Sequence, residues 1–342
     1  MRSKIKLIIC IIFVLIISGL LFFCRSKYKK IELAKEPDGI FSSQYTNKLA
    51  VIIDGKLTMY DETGRSRYID TPFDISLAYP LEDSIYLVDK EGNLYELNYK
   101  LYTETPISDI ILTNVKYFSC AHNSNDNTVC CGAITENGEL YVWGSNKGYC
   151  LGIDGPENIE IPTKIENIKD AKKIQFASET TMVLTETGYV YEAGCVSSES
   201  DGEDVIYNYQ KEFVKLEELS DVTDINTGYS KIIMWDDKIE YWNSYGYDVR
   251  EEHRFDITYG DTLFKCYSQS SLFCVTLDEE GKVYCLGYDF ARVEHVNCKC
   301  ITHFFEPQII TKIKNAEEVY AASSVAYVKA GNEIVVLKDK RR

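Results

Sequence analysis

Two histidines and two cysteines fall within nine residues in HVNCKCITH, His295 to His303. His295, Cys298, Cys300 and His303 form a ligand set that zinc favours. Cys-x-Cys on an extended strand puts both thiols on one face, but four ligands from so short a segment require the loop to fold back sharply. Zinc needs neutral imidazole and thiolate, so such a site weakens at low pH. A disulfide from one of these thiols to another loop, or plain surface side chains, satisfies the same spacing. Zinc is the one cofactor the sequence offers, and nothing in the sequence requires it.

Other chemistry is absent by motif. GSNKG at Gly144 has Asn146 where a nucleophile elbow has serine, and there is no phosphate-binding loop, no His-Glu-x-x-His and no dinucleotide glycine pattern after a strand. HNSNDNT, His122 to Thr128, offers oxygen donors but too few carboxylates for a calcium loop, and reads as a polar tip. Enzymatic activity is not expected. The net charge of −16, from 37 basic and 53 acidic residues, argues against nucleic acid as a partner, because phosphate binding needs a basic footprint.

The elements that would position these residues repeat along the chain. A hairpin recurs seven times: IIDGKLTMYD, VDKEGNLYEL, ITENGELYVWG, LTETGYVYEAG, MWDDKIEYWNS, LDEEGKVYCLG and VKAGNEIVVLK. Its turn residue falls at Gly55, Gly92, Gly138, Gly188, Asp237, Gly281 and Asn332, spaced 37 to 51 residues apart. Gly, Asn and Asp tolerate the positive φ of a tight hairpin. Two residues later comes an aliphatic at every copy, from Leu57 to Ile334, as a core face demands. Two further extended segments precede each hairpin, so the unit is four short strands. Seven such units predict an all-β fold, a seven-bladed β-propeller of four-stranded blades. The last unit stops at its hairpin strand, near Leu337, while KKIEL, Lys29 to Leu33, looks like a missing outer strand. That segment is expected to close the ring.

WGSNKGYCLG, Trp143 to Gly152, resembles the repeat signature of the regulator of chromosome condensation family. Thr135, Gly138, Leu140, Tyr141, Trp143, Gly144, Asn146, Leu151 and Gly152 fall on that signature, while Tyr149-Cys150 replaces its Gly-Gln pair. The fourth unit keeps Thr185, Gly188, Val190, Tyr191 and Gly194, the sixth keeps Gly281, Val283, Tyr284 and Gly287, and the others keep little. The resemblance implies a seven-bladed propeller over residues 29 to 338, of the divergent kind found in bacterial surface-binding relatives. Founding members are nucleotide exchange factors. None of their partner-binding residues is matched here, so an exchange-factor role ranks third.

Long connections follow the hairpins of units three to six, at about 145–161, 195–212, 245–254 and 288–306, all on one end of a propeller. They carry Tyr149, Tyr207, Tyr209, Tyr245, Tyr247, Phe290, Phe304 and Phe305 among acidic residues. Aromatics of this kind favour protein interfaces, so the leading expectation is a protein-binding module. A metal-dependent or carbohydrate-binding site, or a hydrolytic one, on the same loops is the alternative.

Leu7 to Cys24 is 18 residues without a charge, close to the length of a membrane-spanning helix, and no small-x-small cleavage site follows it. Residues 1–28 are therefore expected to be a signal anchor holding the propeller, 29–342, at the cell membrane as a single-pass protein, with the propeller outside the cytoplasm. Basic residues flank both ends of the run, so charge barely sets the orientation. Ten of the twelve cysteines lie beyond it; outside the cell some could pair as disulfides, and inside it they would be reduced core residues or ligands.

Overall fold

The computed structural model describes residues 28–98, 107–123, 128–177, 180–201, 204–227, 230–235, 239–243, 253–256, 264–269, 273–288 and 303–338. These form antiparallel sheets strung along the chain. Sheet 1 comprises Gly39–Phe41, Leu49–Ile53, Lys56–Tyr60 and Ser66–Ile69. Sheet 2 has three strands, Ile75–Pro80, Ser84–Asp89 and Leu94–Asn98, with single bridges from Leu94 to Leu112 and Leu97 to Ile107 in place of a fourth. Sheet 3 is Val115–Asn123, Thr128–Thr135, Leu140–Ser145 and Asn158–Lys164, and sheet 4 is Ala171–Phe176, Thr180–Thr185, Val190–Asp201 and Asp204–Lys215. Sheet 5 is Asp224–Thr227, Ser230–Met234, Ile239–Asn243 and His253–Asp256. Sheet 6 is Phe264–Gln269, Phe273–Asp278, Lys282–Tyr288 and His303–Lys312. Sheet 7 is Glu318–Ala321, Ala326–Ala330 and Glu333–Leu337, completed by Lys29–Glu32 from the start of the chain.

That last pairing, Lys29 opposite Val336 and Glu32 opposite Glu333, closes the fold as the sequence predicts. Leu33 N–H donates to the Asn332 carbonyl just past it. The buried Lys329 ammonium pairs with Glu317 of its own sheet and with Glu36 on the N-terminal segment, at 2.6 Å from the latter.

The second strands explain the packing. Every residue of Ser84–Asp89 is buried, because both faces of its sheet are covered. Ile85 and Leu87 join a cluster with Ile52 and Leu57 of sheet 1, while Tyr86 and Val88 join Phe118 and Trp143 of sheet 3. The same alternation builds clusters between sheets 3 and 4, 4 and 5, 6 and 7, and 7 and 1. A run of small face-to-face layers, with the last packed on the first, is a β-propeller. Cys130 and Cys131, adjacent in sequence, point into different layers for the same reason. Of the eight described cysteines, all free thiols, six are buried and Cys195 and Cys266 are half-buried.

One end of the propeller is stitched by a repeated backbone device. The hairpin glycines have positive φ, as in Gly138 at 74° and Gly188 at 78°. Three of them lean on the start of the next sheet in the same way: Val115 N–H donates to the Gly92 carbonyl, Ala171 to Gly138 and Val222 to Gly188. The residue before each of those donors, Asn114, Asp170 or Asp221, is itself left-handed, with φ between 56° and 61°. The Asn114 and Asp170 carbonyls then accept from Glu136 and Glu186 in the next hairpin. Backbone bonds thus run from turn to turn around this end. A Cβ on Gly188 would lie 2.9 Å from the Asp221 Cα, so the device excludes side chains there. In the last hairpin the positive φ belongs to Gly331, at 59°, and not to Asn332, because the loop is the two-residue Gly331-Asn332. Asp237 lies outside the described residues.

Turn side chains reinforce the same end. Asp89 accepts from the Glu91 and Asn93 amides, the Asn93 side chain and the Tyr95 hydroxyl. Asp278 does the same for Glu280, Lys282 and Tyr284, and Thr135 and Thr185 hold the equivalent amides in sheets 3 and 4.

The expected single-pass membrane localisation is not supported. Among the described residues no helix is long and apolar enough to cross a membrane. Many of the apolar residues there lie on strands and are buried in the layers between sheets. The expected anchor, residues 1–28, lies outside the described residues apart from Tyr28.

Candidate functional site

The opposite end carries the long connections. In sheet 3 the strand Leu140–Ser145 is broken by a bulge at Gly144, where φ is 93° and a Cβ would stand 2.1 Å from the Val129 carbonyl oxygen. The bulge turns the chain into the 146–157 connection. Buried Asn146 organises it: its amide donates to the Ile153 and Pro156 carbonyls, and its carbonyl oxygen accepts from Leu151 N–H. Leu151 and Cys150 are buried beneath, and the Lys147–Tyr149 turn is held out above. Gly148 and Tyr149 both take positive φ there, near 60°.

Sheet 4 has the same bulge at Gly194, with φ 95°. Beyond it the strand no longer pairs with Thr180–Thr185, whose last partner is Gly194. The ribbon from Cys195 out to the Asp201–Asp204 pair therefore stands clear of the sheet for seven residues, roughly 20 Å at the usual strand rise. Along Asp204–Lys215 the register shifts between Val214 and Gln210. Phe213 is in the core between sheets 3 and 4, Lys211 pairs with Asp154 at 3.2 Å, and Tyr209 and Tyr207 follow outward. Tyr149 meets Tyr209 edge-on with centroids 6.1 Å apart, and Tyr207 lies 6.2 Å from Tyr209. Lys211 Nζ sits 4.9 Å above the Tyr149 ring. The hydrogen bond and charge of Asp154, with the nearby Tyr149, hold the Lys211 ammonium protonated to higher pH than usual.

Sequence reasoning thus named three residues that the fold brings into one wall, Tyr149, Tyr207 and Tyr209. Tyr245, Tyr247 and Phe290 lie outside the described residues. Phe304 and Phe305 are placed on the strand His303–Lys312, with only their backbone described. Of the zinc set, His295, Cys298 and Cys300 lie outside the described residues, and His303 is paired through its backbone with Tyr288. Among the described residues no group of three or more His, Cys, Asp or Glu is placed to hold a metal.

The reading from sequence missed what lies at the centre of this end. The connection Ser42–Lys48 crosses the mouth of the channel. Ser42 Oγ donates to Ala321 O of sheet 7, Ser43 Oγ to Pro80 O of sheet 2, and Gln44 Nε2 to Phe176 O of sheet 4. Asn47 and Ser324 exchange hydrogen bonds, and Tyr327 donates to the Asn47 carbonyl. Tyr45 packs into the layers on both sides of sheet 3, where burial pushes its hydroxyl pKa well up. SSQYTNK carries no periodic signal, and its partners are distant in sequence.

The family model of the regulator of chromosome condensation (RCC1) repeat matches residues 137–184. The chain carries a regulator of chromosome condensation repeat. The matched repeat begins in the sheet 3 hairpin and ends in the second strand of sheet 4, so it contains the bulge, the Asn146 clamp and the layer between the two sheets. Among solved structures, human WBSCR16 aligns over 91% of this chain and 88% of its own, at 9% identity and a TM-score of 0.65. Hsv2 of Kluyveromyces marxianus aligns over 87% of this chain and 90% of its own, at 9% identity and a TM-score of 0.52. At these identities the likeness is one of fold.

Proposed function

We propose that the chain is a seven-bladed, protein-binding propeller that docks its partner on the wall formed by Tyr149, Tyr207 and Tyr209. The observation that carries this is the sheet 4 ribbon, which runs past its own sheet and presents two tyrosines, 50% and 42% exposed, that no core needs. Tyrosine supplies large contact area at small entropic cost. The plugged channel mouth favours the rim over the centre as the docking place. A binding role fits the site better than catalysis, since Lys211 and Asp154 are spent on each other.

The test shortens the ribbon, replacing 197–208 with a tight turn, and compares crosslinked partners of the two proteins in the native cell. The proposal expects a specific partner to be lost while the thermal melt is kept. Retention of every partner by the shortened protein overturns it.

A further inference from the structure

We infer that the partner presents a positively charged, arginine-bearing extended segment to this wall, an inference that rests on reading the wall as the docking surface. Three observations converge. First, the wall already holds a cation on an aromatic face, Lys211 over Tyr149, and the same strand repeats the arrangement with Lys215 Nζ 3.8 Å over the Tyr189 ring. One tyrosine face of the wall thus already holds a cation, and a guanidinium stacks on such a face better than an ammonium does.

Second, Tyr207 and Tyr209 stand farther out on the strand that carries Lys211, and turn about half their surface to solvent. Third, the two segments that build the wall, 145–160 and 195–215, hold eight acidic residues against three basic ones. That surplus of negative charge acts over the Debye length, ~8 Å at physiological salt. The field draws cations in and keeps phosphate and acidic chains out.

The experiment titrates fluorescein-labelled hexa-arginine, hexa-lysine and hexa-glutamate peptides with the full chain and follows anisotropy. The comparison protein is Tyr207→Ser with Tyr209→Ser, which leaves every charge in place and, at exposed positions, the fold intact. The expected result is that hexa-arginine binds more tightly than hexa-lysine, hexa-glutamate does not bind, and the double variant weakens hexa-arginine about fivefold or more. Equal hexa-arginine affinity for the two proteins would mean attraction by net charge alone and would overturn the inference, as would binding of hexa-glutamate. If the native partner is lost on shortening the ribbon while hexa-arginine ignores the tyrosines, this inference fails and the docking surface stands. A partner kept after shortening fails the docking surface itself.

Discussion

The two ends of the propeller are built from the same chain by different rules. At the hairpin end, Gly55, Gly92, Gly138 and Gly188 each accept a bond from the start of the next sheet, and the partner positions Asn114, Asp170 and Asp221 repeat nearly the same φ. At the other end the connections differ: tight turns open sheets 2, 4 and 7, beside a plug at Ser42–Lys48, a clamped loop at 146–157 and a projecting ribbon in sheet 4. Backbone bonds need only the right φ, so the first end tolerates drift in side chains. The second end is free of that constraint, and it is where side chains can be selected for a partner.

The largest break in this contrast is expected at the hairpin end. Gly188→Ala puts a Cβ 2.9 Å from the Asp221 Cα at φ 78°. Strain and steric conflict together should cost about 2–4 kcal/mol of stability, read by urea unfolding, with no change in partner affinity of the folded fraction. Next comes Asn146→Ala, which removes three hydrogen bonds from a buried side chain. It should cost about 2–3 kcal/mol and, by releasing Tyr149 from Tyr209, weaken partner binding as well. That mixed outcome separates it from the pure stability loss at Gly188.

The wall should behave oppositely. Tyr207→Ser with Tyr209→Ser should shift stability by less than about 0.5 kcal/mol, while costing about 2 kcal/mol of partner binding in a titration. The smallest effect is in the acid limb. Burial works against ionisation of Asp89, but hydrogen bonds from the Asn93 side chain and amide, the Tyr95 hydroxyl and the Glu91 amide outweigh it, and its pKa is lowered. A depressed carboxyl stabilises the fold above its unfolded pKa, about 3.9, and loses that contribution as pH falls through the folded value. Asp89→Asn should therefore flatten the loss of stability below about pH 4, measured as the urea midpoint against pH.

The hairpin ends of the sheets were readable in sequence because their signals are local: a glycine turn, then period-two aliphatics. Ring closure by Lys29–Glu32 was readable because the last unit lacked a strand. The left-handed Asn and Asp residues were missed, although TNV, KDA, SDV and KNA before the first strands of sheets 3, 4, 5 and 7 repeat visibly. Asn315, in the last of these, has the same φ of 57°. Their purpose depends on a neighbour about 20 to 35 residues away, which a strand pattern does not reveal. The plug was invisible for the same reason in stronger form: Gln44 finds Phe176 across the ring. In the wall, VIYNYQKEF puts Tyr207, Tyr209, Lys211 and Phe213 at alternate positions, but only the fold shows Tyr149 arriving from the preceding sheet. The Gly331 turn was misplaced by one residue because Gly-Asn and Asn-Gly loops satisfy the same composition.

The most direct measurement places a photoactivatable crosslinker at Tyr207 in one protein and at Glu136, on a hairpin turn, in another, and compares the partner captured by each in the native cell. The account predicts a discrete crosslinked partner from position 207 and none from 136. The same partner captured from 136, with none from 207, would put the working surface at the stitched end and contradict it.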